Sequence, residues 1–310
     1  MGQAMSNAWN VVEPDVEAAL RACPKPLEAL ADLSVAAFVL RRVFDSDECT
    51  RLIERFIDRG LMYDPAAETI EAKFVEASVR EGGLHRIGEP TFRMIGGSEP
   101  SSRRRRIDVG ASLGNLGNRP EEFFTKAREA NELFATLFDG LANPVEAIYG
   151  YLGRLAEGKR VMTAREPDGR LYGRAIFRIH YGGYTYGPHF DSVRHREKRT
   201  GYAVFRFEHQ LAGVMCLQNS VRGGQVPQTI LHRCLWSPEV GPYLEENRFY
   251  EYAAAKGIPN VRIELEPGDL YFFNTGLIHE VPGVDGPLPR AVAATFIGYS
   301  ADDPDVYVWS

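Results

Sequence analysis

Two short segments hold residues whose types and spacing can bind a metal ion. The first reads Gly187-Pro188-His189-Phe190-Asp191-Ser192. The second runs from Gly268 through Asn274 to His279, and Arg290 follows eleven residues later. Two imidazoles and one carboxylate form the set that holds non-haem Fe(II) on one face and leaves the other open. Such a site activates O2. Residues i and i+2 of a strand point to the same side, so His189 and Asp191 can share one ion from a single extended segment. The third donor must come from a neighbouring strand, and His279 can supply it. Arg290 opens a further apolar stretch, from where its guanidinium offers a planar fork to a carboxylate. A His-x-Asp pair alone reads as two polar loop residues. The chain has only seven histidines, however, and two of them sit in matching places on expected strands.

The elements that must position these groups follow from the pattern around them. Segments 15–23 and 26–33 read as short helices, and Val35 to Phe44 as a β-rich run. Asp45-Ser46-Asp47-Glu48 is a helix start, and the next residues carry an apolar stripe at Leu52, Ile53, Phe56 and Ile57. Residues 64–118 are rich in Gly, Arg and Ser and read as loops that cover a site. Pro120 begins a helix whose Phe123, Phe124, Phe134 and Phe138 recur at helical spacing, a face for packing on a sheet. A second helix is expected over 144–157. From Val161 onward the texture is β, with strands expected over 174–181, 187–193, 202–207, 212–218, 228–235, 261–265, 270–273 and 290–299, and one helix over 238–256. The turn Glu266-Pro267-Gly268-Asp269 leads into the apolar run that precedes His279. Eight short strands separated by turns indicate an α+β chain with a double-stranded β-helix (jelly-roll, cupin-like) core. Its helices pack outside and come mostly from the N-terminal third. We expect a single domain over 1–310, with a mainly helical part and covering loops over 1–160 and the metal-bearing core over 161–310.

Composition narrows the function classes. The chain has 310 residues, 44% hydrophobic and 25% charged, enough for a large core. A net charge of −6 argues against a general nucleic-acid binder. Its four cysteines, Cys23, Cys49, Cys216 and Cys234, form no Cys-x-x-Cys pair and fit reduced thiols. No stretch is long and apolar enough to span a bilayer, and a cytoplasmic protein is expected. Two basic runs stand out, Arg103 to Arg106 and Arg194-His195-Arg196-Glu197-Lys198-Arg199. Their plain reading is a solvated face. The sharper reading makes the second run a lid that recognises an anionic substrate.

These residues resemble the Fe(II)- and 2-oxoglutarate-dependent oxygenases. More closely, the chain is similar to the freestanding halogenases of indole alkaloid biosynthesis, typified by the welwitindolinone halogenase. The likeness begins at Phe38 to Phe44 and strengthens at Ala175 to Arg178, at Gly223-Gly224, at Trp236 to Glu239 and at Gly268 to Asn274. It is strongest from Pro289-Arg290 through Tyr299-Ser300 and at Asp305 to Ser310. The resemblance implies that His189, Asp191 and His279 hold Fe(II), with 2-oxoglutarate and O2 as co-substrates and succinate and CO2 as co-products. Arg290 would pair with the far carboxylate of 2-oxoglutarate, Arg178 would lie near it, and Thr295 and Asn274 would hydrogen-bond it. His180, Tyr184, Tyr186, Ser192, Arg194 and Trp236 are candidates for the substrate pocket. One departure matters. In those halogenases the carboxylate position is a glycine, and the vacancy admits chloride. Asp191 here argues for hydroxylation of a small metabolite, as in secondary metabolism. Desaturation, epoxidation or ring closure would use the same cofactors. A cupin-type hydrolase or isomerase with Zn2+ or Mn2+, or a non-catalytic binding protein, are the alternatives of other classes.

Overall fold

The computed structural model describes residues 9, 11–12, 16–69, 71, 74, 91–93 and 105–310. Their strands are β1 (Val11–Val12), β2 (Ala37–Leu40), β3 (Thr91–Arg93), β4 (Arg105–Val109), β5 (Arg160–Thr163), β6 (Ile176–Tyr181), β7 (Tyr186–His189), β8 (His209–Gln218), β9 (Gln228–Leu235), β10 (Asn260–Glu264), β11 (Leu270–Asn274), β12 (Leu277–Val281), β13 (Arg290–Tyr299) and β14 (Asp305–Trp309). They form two sheets. The larger has ten strands, with the path β1-β2-β11-β8-β13-β6-β4-β3 and with β14 and β5 branching from β13. The smaller has four, in the order β10-β9-β12-β7. Most neighbours are antiparallel. This is the expected α+β jelly roll.

Alternation along the central strands builds two apolar layers. One face of the large sheet, with Phe177, Phe272, Ala291, Ala293 and Ile297, meets the helices Ser46–Asp58, Pro120–Leu137 and Pro144–Leu155. Phe177 lies against the rings of Phe56, Phe134 and Phe138, at centroid distances of 4.9, 5.3 and 6.0 Å. The aromatic stripe of the long helix is therefore core packing. The opposite face, with Ala212, Val214, Tyr271, Phe273 and Val292, meets Leu231, Ile263, Leu265 and Leu277 on the side of the small sheet. The space between the sheets, toward one end, holds the candidate site.

Several expectations are corrected. The segment expected as a strand over 202–207 forms a 3-10 turn, Ala203–Arg206. The expected helix over 238–256 is two, Gly241–Glu245 and Phe249–Lys256, broken where Asn247 takes a left-handed φ of 56°. The strand that carries His189 stops there, because Ser192 accepts the backbone N–H groups of Arg196 and Glu197 and turns the chain. Strands β1, β3 and β4, not expected before residue 160, stand there among the helices. Much of segment 64–118, expected as covering loops, lies outside the described residues.

The turn before β11 fixes that strand's entry. Gly268 has φ +93°, and a Cβ there would lie 2.1 Å from the Phe44 carbonyl oxygen, so only glycine fits. Beside it the buried Asp269 accepts from the backbone N–H of Arg42 (2.9 Å) and of Glu266 (2.8 Å) and from Arg41 Nη1 (2.7 Å). Asp269→Ala leaves these donors unmatched. It should lower unfolding free energy by about 2–4 kcal/mol, read as a shifted denaturation midpoint with an unchanged slope. No shift would show that the turn does not depend on the carboxylate.

Candidate active site

The pairing of β7 with β12 brings His189 and His279 directly opposite each other. Their ring centroids lie 4.3 Å apart. Each ring is fixed from behind in the same way. His189 Nδ1 lies 2.8 Å from the Gly187 carbonyl oxygen, and His279 Nδ1 lies 2.8 Å from that of Leu277. A carbonyl only accepts, so each Nδ1 carries the proton and each Nε2 presents a lone pair. Asp191 Oδ2 lies 3.9 Å from His189 Nε2 and 3.7 Å from His279 Nε2. These separations are shorter than two metal–ligand bonds of about 2.1 Å each, so one ion can touch all three atoms. Among the described residues this is the one group of three such side chains whose donor atoms converge within 4.8 Å.

Asp191 is held on both sides. Its N–H donates to the Thr275 carbonyl, and its carbonyl accepts from Thr275 Oγ1, both at 2.9 Å. Arg196 Nη1 donates to Asp191 Oδ1 at 2.8 Å and to the Phe190 carbonyl at 2.6 Å. One carboxylate oxygen is thus taken by Arg196, and the other faces the imidazoles. Burial pushes the Asp191 carboxyl up. The His189 and His279 rings, Arg196 and Arg178 outweigh it and hold it below the usual carboxylate range. Burial, and next His189, lower His279 to about 3, so its ring is neutral and ready to donate a lone pair. The donor set is that of a cation site, and it fits Fe(II).

The adjoining cavity has an apolar wall and a basic one. Val214, Tyr271, Phe273, Val281, Val292 and Phe296 form much of the first. Tyr271 turns its hydroxyl to Thr229 Oγ1, 3.1 Å away. The basic wall is a patch of three adjacent strands. Register sets Arg290 of β13 opposite His180 of β6, and His180 opposite Arg106 of β4. Arg106 Nη2 pairs with Asp108 at 2.5 Å, and its Nη1 donates to the Tyr186 hydroxyl at 3.0 Å. That hydroxyl lies 3.2 Å from His180 Nε2, and its ring stacks on His189 at 5.6 Å. Burial, then the charges of Arg290, Arg106 and Arg178, hold His180 neutral. Arg290 is buried and lines the cavity, and no carboxylate among the described residues pairs with it.

The candidate residues divide accordingly. His189, Asp191, His279, Arg290, Arg178, His180 and Tyr186 line the one cavity. Thr295 borders it, but alternation along β13 turns it to the face opposite Arg290, and its hydroxyl donates to the Phe296 carbonyl. Asn274 points away. Its Nδ2 donates to the Leu30 carbonyl and its Oδ1 accepts from the Gly276 N–H, so it closes the β11–β12 turn instead of meeting a cofactor. Four of the six pocket candidates are displaced. Tyr184 is buried behind, its ring 5.2 Å from that of Tyr186. Ser192 caps the turn through His195 N–H. Arg194 donates to the Phe207 carbonyl and lies over the Phe205 ring. Trp236 stacks on Phe190 and His195.

The lid reading of the second basic run fails. Arg196 is spent on Asp191, and Arg199 bonds Asn118 and the Gly114 carbonyl. Of the first run, Arg103 and Arg104 lie outside the described residues, while Arg106 is buried and paired, not solvated. Sequence reasoning missed Arg196 and Thr275. The i, i+5 spacing of Asp191 and Arg196 across a Ser-started turn was the available signal.

Comparison with known proteins follows this geometry. Residues 84–310 match the family model described as "Carrier-protein-independent halogenase WelO5". The chain belongs to the WelO5 family. No curated protein matches it by sequence. Among solved structures, the N-substituted L-amino acid dioxygenase from Burkholderia ambifaria AMMD is similar, with a TM-score of 0.53 at 13% identity. The match covers 92% of this chain and 90% of that one. The same dioxygenase in complex with alpha-KG gives 0.51 at 13% identity over the same shares. At that identity the likeness shows the fold. This WelO5-family protein is thus an enzyme of the Fe(II)/2-oxoglutarate oxygenase superfamily, whose members use Fe(II), 2-oxoglutarate and O2. No helix among the described residues is long and apolar enough to cross a membrane.

The converging donors predict that one divalent ion binds per chain, measurable by calorimetry with Fe(II) under anaerobic conditions or with Co(II). Arg196→Ala should weaken it by about 10–100-fold, the usual cost of removing a partner that orients a ligand. Unchanged affinity would show that Arg196 does not position Asp191.

Proposed function

We propose that the protein is an Fe(II)- and 2-oxoglutarate-dependent dioxygenase that hydroxylates a C–H bond of a small metabolite. In this reading His189 and His279 hold the ion through Nε2 and Asp191 through Oδ2. Arg290 receives the distal carboxylate of 2-oxoglutarate in a charge-assisted, bidentate pair, which accounts for a buried guanidinium with no acid beside it. The apolar wall limits water around the substrate's C–H. Bound there, Fe(II) with 2-oxoglutarate and O2 supplies the oxidation, and the protein supplies orientation.

The observation that carries hydroxylation over halogenation is Asp191. Its carboxylate converges on the two imidazoles at 3.7–3.9 Å and is locked by Arg196 and Thr275. In the halogenases that the sequence resembles, a glycine leaves that place to chloride. Here a fixed anion fills it, and Coulomb repulsion adds to the steric exclusion of a second one.

Anaerobic addition of Fe(II) and 2-oxoglutarate should give a weak visible charge-transfer band, and O2 should then yield succinate. Well-folded, metal-loaded protein that gives neither would remove the reading. Asp191→Gly should abolish hydroxylation while leaving Arg196 as an unpaired cation beside the opened place. Full hydroxylase activity in that variant would show that Asp191 is not a ligand.

A further inference from the structure

The basic wall holds more positive charge than one co-substrate carboxylate can use. Three guanidinium groups, of Arg106, Arg178 and Arg290, lie on three adjacent strands of the large sheet. Arg106 is committed to Asp108 and to the Tyr186 hydroxyl. Arg290 is assigned above to the distal carboxylate of 2-oxoglutarate. Arg178 remains. It lines the cavity, its Nε is buried without a hydrogen bond, and no ion pair joins it to any described acid.

No acid around Arg178 is ion-paired with it, and although the buried Oδ1 of Asp108 opposite it also lacks a partner, the two groups do not meet. Asp108, its cross-strand neighbour, gives Oδ2 to Arg106. Asp191 gives Oδ1 to Arg196 and offers Oδ2 to the metal position. Glu197 lies 4.0 Å from Arg199, and burial with the nearby Asp191 charge pushes it up to about 7. A guanidinium left unpaired against apolar walls is costly, and such groups are kept for an anion that arrives with a ligand.

Arg178 and Arg290 occupy different places on one face of the sheet, as diagonal neighbours. Their cross-strand partners differ by two residues, with Arg290 opposite His180 and Val292 opposite Arg178. The charge of Arg290 is felt at Cys216 and Tyr271, on the far strands of the sheet. Both charges are felt at His180, and that of Arg178 also at Asp191 and Glu197, on the metal side. The metal-side carboxylate of 2-oxoglutarate would be neutralised by the ion that it chelates. Arg178 is then the one cation on this wall without an anion.

We infer that the substrate is an amphipathic anion, with its acidic group bound by Arg178 and its apolar body laid along Val214, Phe273, Val281 and Phe296. This rests on the oxygenase reading of the same site. It replaces the basic run 194–199 with Arg178 as the recogniser of the anion.

The test uses the full chain loaded anaerobically with Fe(II) and 2-oxoglutarate, titrated with straight-chain alkanoates from butanoate to decanoate. At least one should shift the charge-transfer band saturably, and the matched primary alcohol should bind at least about tenfold more weakly, as loss of a charge-assisted bond requires. Arg178→Gln should lose alkanoate binding while its 2-oxoglutarate Kd stays within about threefold of wild type. Arg178→Lys should keep alkanoate binding and shows that the position tolerates change. The inference is overturned if no alkanoate binds the loaded wild type, if alcohols bind as well as acids, or if Arg178→Gln weakens 2-oxoglutarate as much as Arg290→Gln does. No band from wild type with 2-oxoglutarate alone would remove the oxygenase reading itself.

Discussion

The antiparallel pairing of β7 with β12 is the constraint on which the site depends. It sets His189 opposite His279, and the carbonyls of Gly187 and Leu277 then fix each ring through Nδ1. The backbone therefore chooses the tautomer, and the two Nε2 lone pairs are aimed before any ion arrives. Preorganised donors of this kind lose little entropy on binding. Asp191 completes the set only because β7 ends at His189. The turn that follows places Arg196 against one carboxylate oxygen and leaves the other free. A slip of one residue in β12 would turn His279 to the opposite face and destroy the site.

The second principle is a division of charge. The small sheet supplies the two imidazoles, and the loop after its strand β7 supplies the carboxylate. The large sheet faces them with guanidinium groups on three neighbouring strands. An oxoacid spanning the gap would meet a cation at each end. Between these poles the walls are aliphatic and aromatic, and even Tyr271 turns its hydroxyl to Thr229. The low dielectric of such a space strengthens every charge interaction inside it. Burial first, and then the three cations around it, keep His180 neutral, so it adds a polar edge to the wall without adding charge.

What the sequence made legible was what local periodicity encodes. The residue types of the His-x-Asp pair marked His189 and Asp191 as ligands, although Asp191 meets the imidazoles from the turn after β7 and not by strand alternation, and the apolar run 270–273 with its turn marked the strand before His279. Arg290 at the head of an apolar stretch was readable for the same reason. The misses came from groups whose fate is decided by distant partners. Asn274 looked like a cofactor ligand, but the Leu30 carbonyl, far away in sequence, takes its amide. Ser192 and Arg194 lie within or just after the first metal segment, and Trp236 in a stretch that carries the family likeness, yet a tight turn and ring stacking carry them away from the cavity. The run 194–199 read as one basic surface, whereas each arginine has its own protein partner. Arg106 read as part of a solvated tract, and alternation with Ile107 and Val109 in fact buries it beside Asp108.

The most direct measurement is a crystal structure of the protein grown without oxygen in Fe(II) and 2-oxoglutarate. The account predicts one ion on His189 Nε2, His279 Nε2 and a single oxygen of Asp191, with the oxoacid chelated to it and its distal carboxylate on Arg290. An ion held elsewhere, or an oxoacid whose distal carboxylate lies away from Arg290, would contradict it.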